Sequence, residues 1–173
     1  MLEIDLTYRK ELTSTFERLN EKVASLNKLR PLPQAAISKI KEALQIEWTY
    51  NSNSIEGNTL SLRETQMVLQ EGITISGKSL REHFEAKNHE TAIIYLYTLI
   101  KKNYKITSGD ILSLHGFVLR SIEDEHAGRI RNGGVRISGA NFTPPNARKI
   151  YDLLNELIVF VNDNPLNLND IEL

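Results

Sequence analysis

Ser52 and Glu56 are four residues apart, the spacing that puts two side chains on one face of a helix. Gly57 follows, and glycine is the natural residue just past a helix end. A hydroxyl and a carboxylate would therefore stand together at a helix terminus, where a carboxylate can take a neighbouring arginine. By itself the pair is also what a solvated C-terminal turn offers. A second string, Gly72-Ile73-Thr74-Ile75-Ser76-Gly77-Lys78-Ser79, matches the phosphate-loop pattern GxxxxGK[ST] at every fixed position. That chemistry needs a buried strand before the loop, and backbone amides free to wrap an anion. Residues Leu62 to Glu71 are instead charged and helical in period, and isoleucines at 73 and 75 resist the tight conformations of an anion nest. The alternative is a solvated loop in which Ser79 caps the next helix. Of the four histidines, His83, His89, His115 and His126, none belongs to an HExxH string or to a tight set with metal-ligand spacing. His115 reads as a satisfied core or edge residue rather than a base.

The elements that position these residues are mostly helices. Leu12, Phe16, Leu19, Val23 and Leu26 form one stripe in a helix from about Asp5 to Lys28, which Pro31 and Pro33 end. Such a stripe lies on its own domain or pairs in a short coiled coil. Ile37, Ile40, Leu44 and Trp48 mark a second helix, running into the polar stretch Tyr50 to Asn58. Ser61 and Glu64 are spaced as a capping box for a short third helix ending at Gly72. A fourth, Ser79 to Lys102, is apolar all round over Ala92 to Ile100, as a central bundle helix is. A fifth covers Ser108 to Ile122 and a sixth Asn146 to Asn162. Between these two, Val135-Arg136-Ile137, a turn at Ser138 to Asn141, and Phe142-Thr143 before Pro144-Pro145 predict a small β-hairpin. The expected fold is all-α with this one hairpin. Residues 1–31 form an N-terminal helix and 32–173 the main body.

Composition narrows the function classes. The 173 residues carry 21 Lys plus Arg against 22 Asp plus Glu, a net charge of -1 without the basic excess of nucleic-acid or anionic-membrane binders. The longest apolar run, Ala92 to Ile100, is far short of the ~20 residues a bilayer span needs. MLEIDLTYRKEL has neither the basic nor the apolar region of a secretory signal. The sequence has no cysteine, which excludes disulfides, thiolate metal sites and thiol nucleophiles, and fits a reducing, cytoplasmic setting.

Ser52-x-x-x-Glu56-Gly57 resembles the inhibitory-helix motif [S/T]xxxE[G/N] of Fic (Fido-domain) proteins. The run Asn51 to Thr65 is similar to the N-terminal portion of many bacterial members. Gly77-Lys78-Ser79-Leu80 with Glu85 to His89, then Gly128-Arg129-Ile130-Arg131, Val135 to Gly139 and Phe142 to Pro145 follow in family order. The resemblance covers about Leu32 to Leu173 and absorbs the phosphate-loop coincidence, because GKSL belongs to the ordinary family pattern.

The resemblance implies a Fic-like helical bundle, an inhibitory helix over about 34–57 and a target-docking flap over about 133–145. It implies inhibitory roles for Ser52, Glu56 and Gly57. Val135, Arg136, Ile137, Ser138, Gly139 and Phe142 are implied to dock an extended protein segment by β-augmentation. The activity implied for the parent protein is transfer of AMP from ATP, with Mg²⁺, to a protein hydroxyl. The motif HPFx[D/E]GNGRxxR, which would supply the catalytic base, the metal-binding acid and both arginines, is absent from this sequence. No catalytic residue, metal ligand or cofactor is therefore expected in this chain alone, which is expected to be inactive. Asn169 or Asp170 reads as a helix cap and Ile171-Glu172-Leu173 as a first turn. The expectation is that the natural protein continues, or that this chain is a fragment. Truncation would leave apolar surface on the fourth and sixth helices and favour self-association. A non-catalytic interaction module is the competing reading, and a phosphate-loop protein a more remote one.

Overall fold

The computed structural model describes residues 8–100 and 104–164. These residues contain six α-helices: α1 Tyr8–Lys28, α2 Gln34–Ile55, α3 Leu62–Gln66, α4 Leu80–Leu99, α5 Ser108–Leu119 and α6 Ile150–Asp163. The all-α class holds. The chain divides into two units, Met1–Ala43 and Leu44–Leu173, with the division inside α2. The first contains α1, on which Leu12, Val23 and Leu26 are exposed.

The second unit is built by caps. Ser61 and Glu64 close the expected capping box at α3, Ser79 and Glu82 another at α4, and Thr107 and Asp110 a third at α5. Each satisfies amide donors that a helix start leaves without partners. After α3 the chain winds into a π-helical turn, Met67–Glu71, ended by Gly72. A 3₁₀ turn, Ala147–Lys149, capped by the Asn146 side chain, precedes α6.

The core is small and well packed. Leu60, Val68, Leu69 and Ala86 form its centre, with Ile46 and Ile75 against them. Ala86 is fully buried, and Ile93, two turns further along α4, is nearly so. α4 and α5 pack together, tied by the Asn88 amide, which donates to the carbonyls of Val118 and Arg120 at 3.1 and 2.6 Å. Asp110 accepts the hydroxyls of Tyr95 and Tyr104, both at 2.9 Å. Asn162 of α6 exchanges two hydrogen bonds with the backbone of Ile106, at 2.8 and 2.7 Å. Among the described residues no buried side-chain polar atom lacks a hydrogen-bond partner.

In the run Ala92 to Ile100, Ile94 and Ile100 are exposed, as are Leu153, Leu157 and Val159 of α6, where apolar surface is expected. One expectation needs correction. The paired strands expected at 133–145 do not form, and the described residues contain no strand. The turn is present, with the Ala140 amide on the Ile137 carbonyl at 3.3 Å, but its arms are exposed and unpaired. The physical reason is that an isolated two-stranded ribbon is marginal in water without an apolar face to cover. Here Gly133-Gly134 weakens one arm and Pro144-Pro145 removes donors from the other. The cap expected at Asn169 or Asp170 lies outside the described residues.

Candidate functional site

The end of α2 is a Schellman turn. The Gly57 amide donates to Ser54 O at 3.1 Å and the Asn58 amide to Asn53 O at 2.9 Å, closing the two bonds of that motif. Gly57 sits at φ 94°, in the left-handed region where a side chain would be strained. The Glu56 amide still reaches Ser52 O at 3.4 Å, so helical winding extends through Glu56 and sets it one turn beyond Ser52. Ser52 is half-buried and Glu56 exposed. Among the described residues the Glu56 carboxylate makes no hydrogen bond or ion pair, although the backbone beneath it is closely fixed.

What fixes it is the segment that follows. Asn58 is buried, and its amide donates to Glu82 O at 3.1 Å and Glu85 Oε2 at 2.9 Å, while its Oδ1 accepts the Leu60 amide at 3.0 Å. Thr59 gives its amide and hydroxyl to Glu82 Oε1 at 2.9 and 2.6 Å. Ser79 gives its amide and hydroxyl to Glu82 Oε2 at 2.7 and 2.9 Å. The Thr59 hydroxyl, then the Ser79 and Thr59 amides, lower the Glu82 carboxyl to about 2. The Ser61 amide and hydroxyl lower Glu64 in the same direction. Lys78 completes the knot by donating to the carbonyl and hydroxyl of Thr59.

That geometry settles what residues 72–79 do here. The loop follows a π-helical turn rather than a strand, Lys78 is engaged with Thr59, and Ser79 caps α4. The phosphate-loop reading is therefore set aside. His83, also buried, holds the loop from inside. Its Nε2 accepts the Ile75 amide at 2.8 Å and its Nδ1 donates to Ser79 O at 2.7 Å, roles assigned from the partners. His89 sits between α2 and α4, 3.1 Å from Thr49 Oγ1 and edge-on to Trp48, and burial lowers its basicity.

The flap is held differently. Arg131 donates to the carbonyls of Gly133 and Pro145, the two ends of the segment. Gly128, at φ 69°, lies so close to α5 that a Cβ would come within 3.2 Å of Leu112 O. His115 is exposed at the edge, and its Nδ1 accepts the Gly128 amide at 3.1 Å. His115, Glu123, His126, Arg129 and Arg131 line an open groove of about 850 Å³ beside the flap. Val135, Ile137 and Phe142 are exposed, and Arg136, Ser138 and Gly139 lie with them. Among the described residues no hydrogen bond or ion pair joins Ser52 or Glu56 to residues 133–145.

Sequence reasoning anticipated Ser61, Glu64 and Ser79 as cap residues. It missed Asn58, Thr59, Glu82, Glu85 and Arg131. Glu82 carried a signal, the SxxE spacing from Ser79; Thr59 and Arg131 act across 23 and 14 residues of chain and carried none.

No family model matches the chain. Protein adenylyltransferase fic-1 of Caenorhabditis elegans is 34% identical over 140 residues, 79% of this chain and 27% of that protein. Protein adenylyltransferase Fic of Aedes aegypti is 34% identical over 148 residues, 85% of this chain and 29% of that protein. The solved structure of C. elegans Fic-1, residues 134–508, superposes with a TM-score of 0.70 at 30% identity, covering 96% of this chain and 51% of that one. The fold is thus that of Fic-type helical domains. The chain belongs to the Fic family. It spans less than a third of the length of these curated relatives and about half of the solved one.

Proposed function

We propose that this chain carries the inhibitory and target-docking parts of a protein adenylyltransferase, which moves AMP from ATP to a Ser, Thr or Tyr hydroxyl of a protein. The relatives' names support the reaction class. In it the hydroxyl oxygen bonds to the α-phosphorus of ATP, pyrophosphate leaves, and a base takes the hydroxyl proton. The base, the phosphate-binding loop and the arginines belong to the HPFx[D/E]GNGRxxR segment, which this sequence does not contain. Mg²⁺ would offset phosphate charge in that reaction. Among the described residues no group of three or more His, Asp or Glu side chains fits a metal ion.

The observation that carries the reading is the Glu56 carboxylate, borne on a fixed turn and with no partner among the described residues. On this reading it pairs with an arginine of the absent segment, and Arg–carboxylate pairs are strong and exacting in geometry. That arginine would otherwise hold the γ-phosphate, so pairing denies ATP its productive pose. Ser52, one turn back, and Gly57, which permits the turn, support the same placement. Residues 133–145, unpaired and exposed, would accept an extended target segment through Val135 to Ser138, with Gly139 turning the chain and Phe142 flanking it.

A cytoplasmic location belongs to this reading. Among the described residues no helix is long and apolar enough to cross a membrane. Self-association through α4 and α6 belongs to it too. Their exposed Ile94, Leu157 and Val159 equally favour a second reading, a non-catalytic interaction module. One experiment separates the two. In a chain extended through an HPFx[D/E]GNGRxxR segment, labelled ATP should give AMP transfer that rises on Glu56→Gly. An extended chain that binds partners yet transfers nothing, with or without Glu56, would support the module.

A further inference from the structure

We propose that Asn132-Gly133, at the base of the flap, is a spontaneous modification site at which the backbone converts the asparagine to aspartate and isoaspartate. The step needs water alone. The Gly133 nitrogen gives its proton to hydroxide and attacks Asn132 Cγ. A nitrogen–Cγ bond forms, the Cγ–Nδ2 bond breaks, and ammonia leaves after taking a proton from water. Water then adds to either carbonyl of the five-membered imide, that carbonyl's bond to nitrogen breaks, and the nitrogen takes the proton that water gives up. One product is aspartate at position 132; the other routes the backbone through the side-chain carboxyl. No redox change occurs.

Three conditions govern this chemistry, and Asn132 meets all of them. The attacking amide must be free, the side chain must turn toward it, and the backbone must tolerate ring closure. Among the described residues neither the Asn132 side chain nor the Gly133 amide makes a hydrogen bond. Asn132 is exposed, and a Cβ built on Gly133 would meet nothing within 4 Å. Glycine also has the broadest backbone freedom. This is the single Asn–Gly step in the sequence.

Several other asparagines among the described residues fail one condition or another. Asn51 and Asn53 precede serines but lie inside α2, where the winding holds the attacking amide away. Asn58, Asn88 and Asn162 have their side-chain amides engaged, and the Asn146 side chain caps the 3₁₀ turn. Asn164 precedes Pro165, which has no amide hydrogen to lose.

The position gives the conversion a consequence. It puts a carboxylate beside Arg131, the residue that joins the two ends of the flap through the Gly133 and Pro145 carbonyls. A carboxylate competes well for a guanidinium, because it adds opposite charge and a bidentate geometry that two neutral carbonyls do not offer. Isoaspartate also lengthens the backbone between Arg131 and Gly133. Either product loosens the base of the flap.

The test uses the folded 173-residue chain, aged at mildly alkaline pH and followed by peptide mass mapping and by isoaspartyl methyltransferase labelling. Position 132 should convert before every other asparagine, by about tenfold, the rate ratio that ~1.4 kcal/mol of barrier gives. The rate should climb with pH. Gly133→Ala, which meets no neighbour, should slow it by a similar factor. Denaturant should leave the rate at 132 nearly unchanged while raising those at Asn51 and Asn53. An intact Asn132 when other asparagines have converted, or a rate indifferent to Gly133→Ala, would overturn the site. Equal hydrogen-exchange protection of residues 134–140 before and after conversion would overturn its link to the flap.

Discussion

Residues 56–61 and 133–145 are both turn segments rich in glycine and polar side chains, yet one is fixed and the other barely tethered. The first is gripped by Asn58 and Thr59, which bond to Glu82 and Glu85 of α4, and by Lys78. The second depends on Arg131 at its base and on a single turn bond at Ile137 to Ala140. The first begins on a carboxylate without a partner among the described residues. The second offers backbone without a partner. Under the proposed function, a blocking group gains from a fixed backbone, because less of the chain is left to order when its carboxylate meets an arginine. A docking segment gains from being left unpaired.

The largest expected effect follows from the rigid side. In a chain extended through an HPFx[D/E]GNGRxxR segment, Glu56→Gly should raise AMP transfer roughly ten- to a hundredfold, the worth of hydrogen bonds to charged groups. Self-modification with labelled ATP reads it directly. A catalytic carboxylate would give the opposite sign, so a fall in transfer by a folded variant ends the inhibitory assignment and takes Ser52 with it.

The contrast also explains what was legible in the sequence. Ser61–Glu64, Ser79–Glu82 and Gly57 act over three or four residues, so their spacing alone describes their geometry. Five of the described helices followed from periodicity, and the start of α3 from its capping box, for the same reason. The π-helical turn at Met67–Glu71 did not, because its pattern differs from an α-helix by one residue in the hydrogen bond. The flap strands were overread: alternation at Val135 to Ile137 states which faces a strand would have, but pairing needs a neighbour that local sequence does not supply. Arg131 was unreadable because its two acceptors are backbone carbonyls brought together by the fold.

The next effect is on acid stability. Glu82 is held at about 2, first by the Thr59 hydroxyl, against an ordinary 4.5. Asp110 is held at about 2, first by the Thr107 hydroxyl, against 3.8. Both folded values lie below the unfolded ones. Their contribution is therefore fully present above about 4.5 and is lost as pH falls toward about 2. Thermal melts should show Tm dropping across that window. Glu82→Gln and Asp110→Asn should each start lower and fall less steeply, and a slope equal to that of the unsubstituted chain would show that these carboxylates are not the anchors.

A smaller loss is expected at Lys78. Removing its bonds to Thr59 by Lys78→Ala should cost about 1 kcal/mol, a Tm drop of roughly 2–4 °C in a chain of this size. Any affinity of the chain for ATP should be unchanged, because the ammonium is engaged on the turn after α2. Loss of ATP binding with an unchanged Tm would restore the phosphate-loop reading and dissolve the contrast between the two segments.

The smallest global effect, and the sharpest local one, is expected at Arg131. Its two acceptors are the carbonyls of Gly133 and Pro145, so the guanidinium closes a loop that no ladder closes. Arg131→Ala leaves α5 and α6 intact, because their mutual ties run through Asn162 and Ile106 at the other end of α6. Tm should therefore shift by only a degree or two, less than for Lys78→Ala. Within residues 134–144, by contrast, hydrogen exchange and proteolysis should accelerate while α2 to α4 keep their protection. Arg131→Lys should restore little, since an ammonium lacks the planar fork that reaches two divergent carbonyls at once. If Arg131→Ala leaves flap exchange unchanged, the flap is ordered by contacts of its own. Its openness would then no longer distinguish it from the turn that carries Glu56.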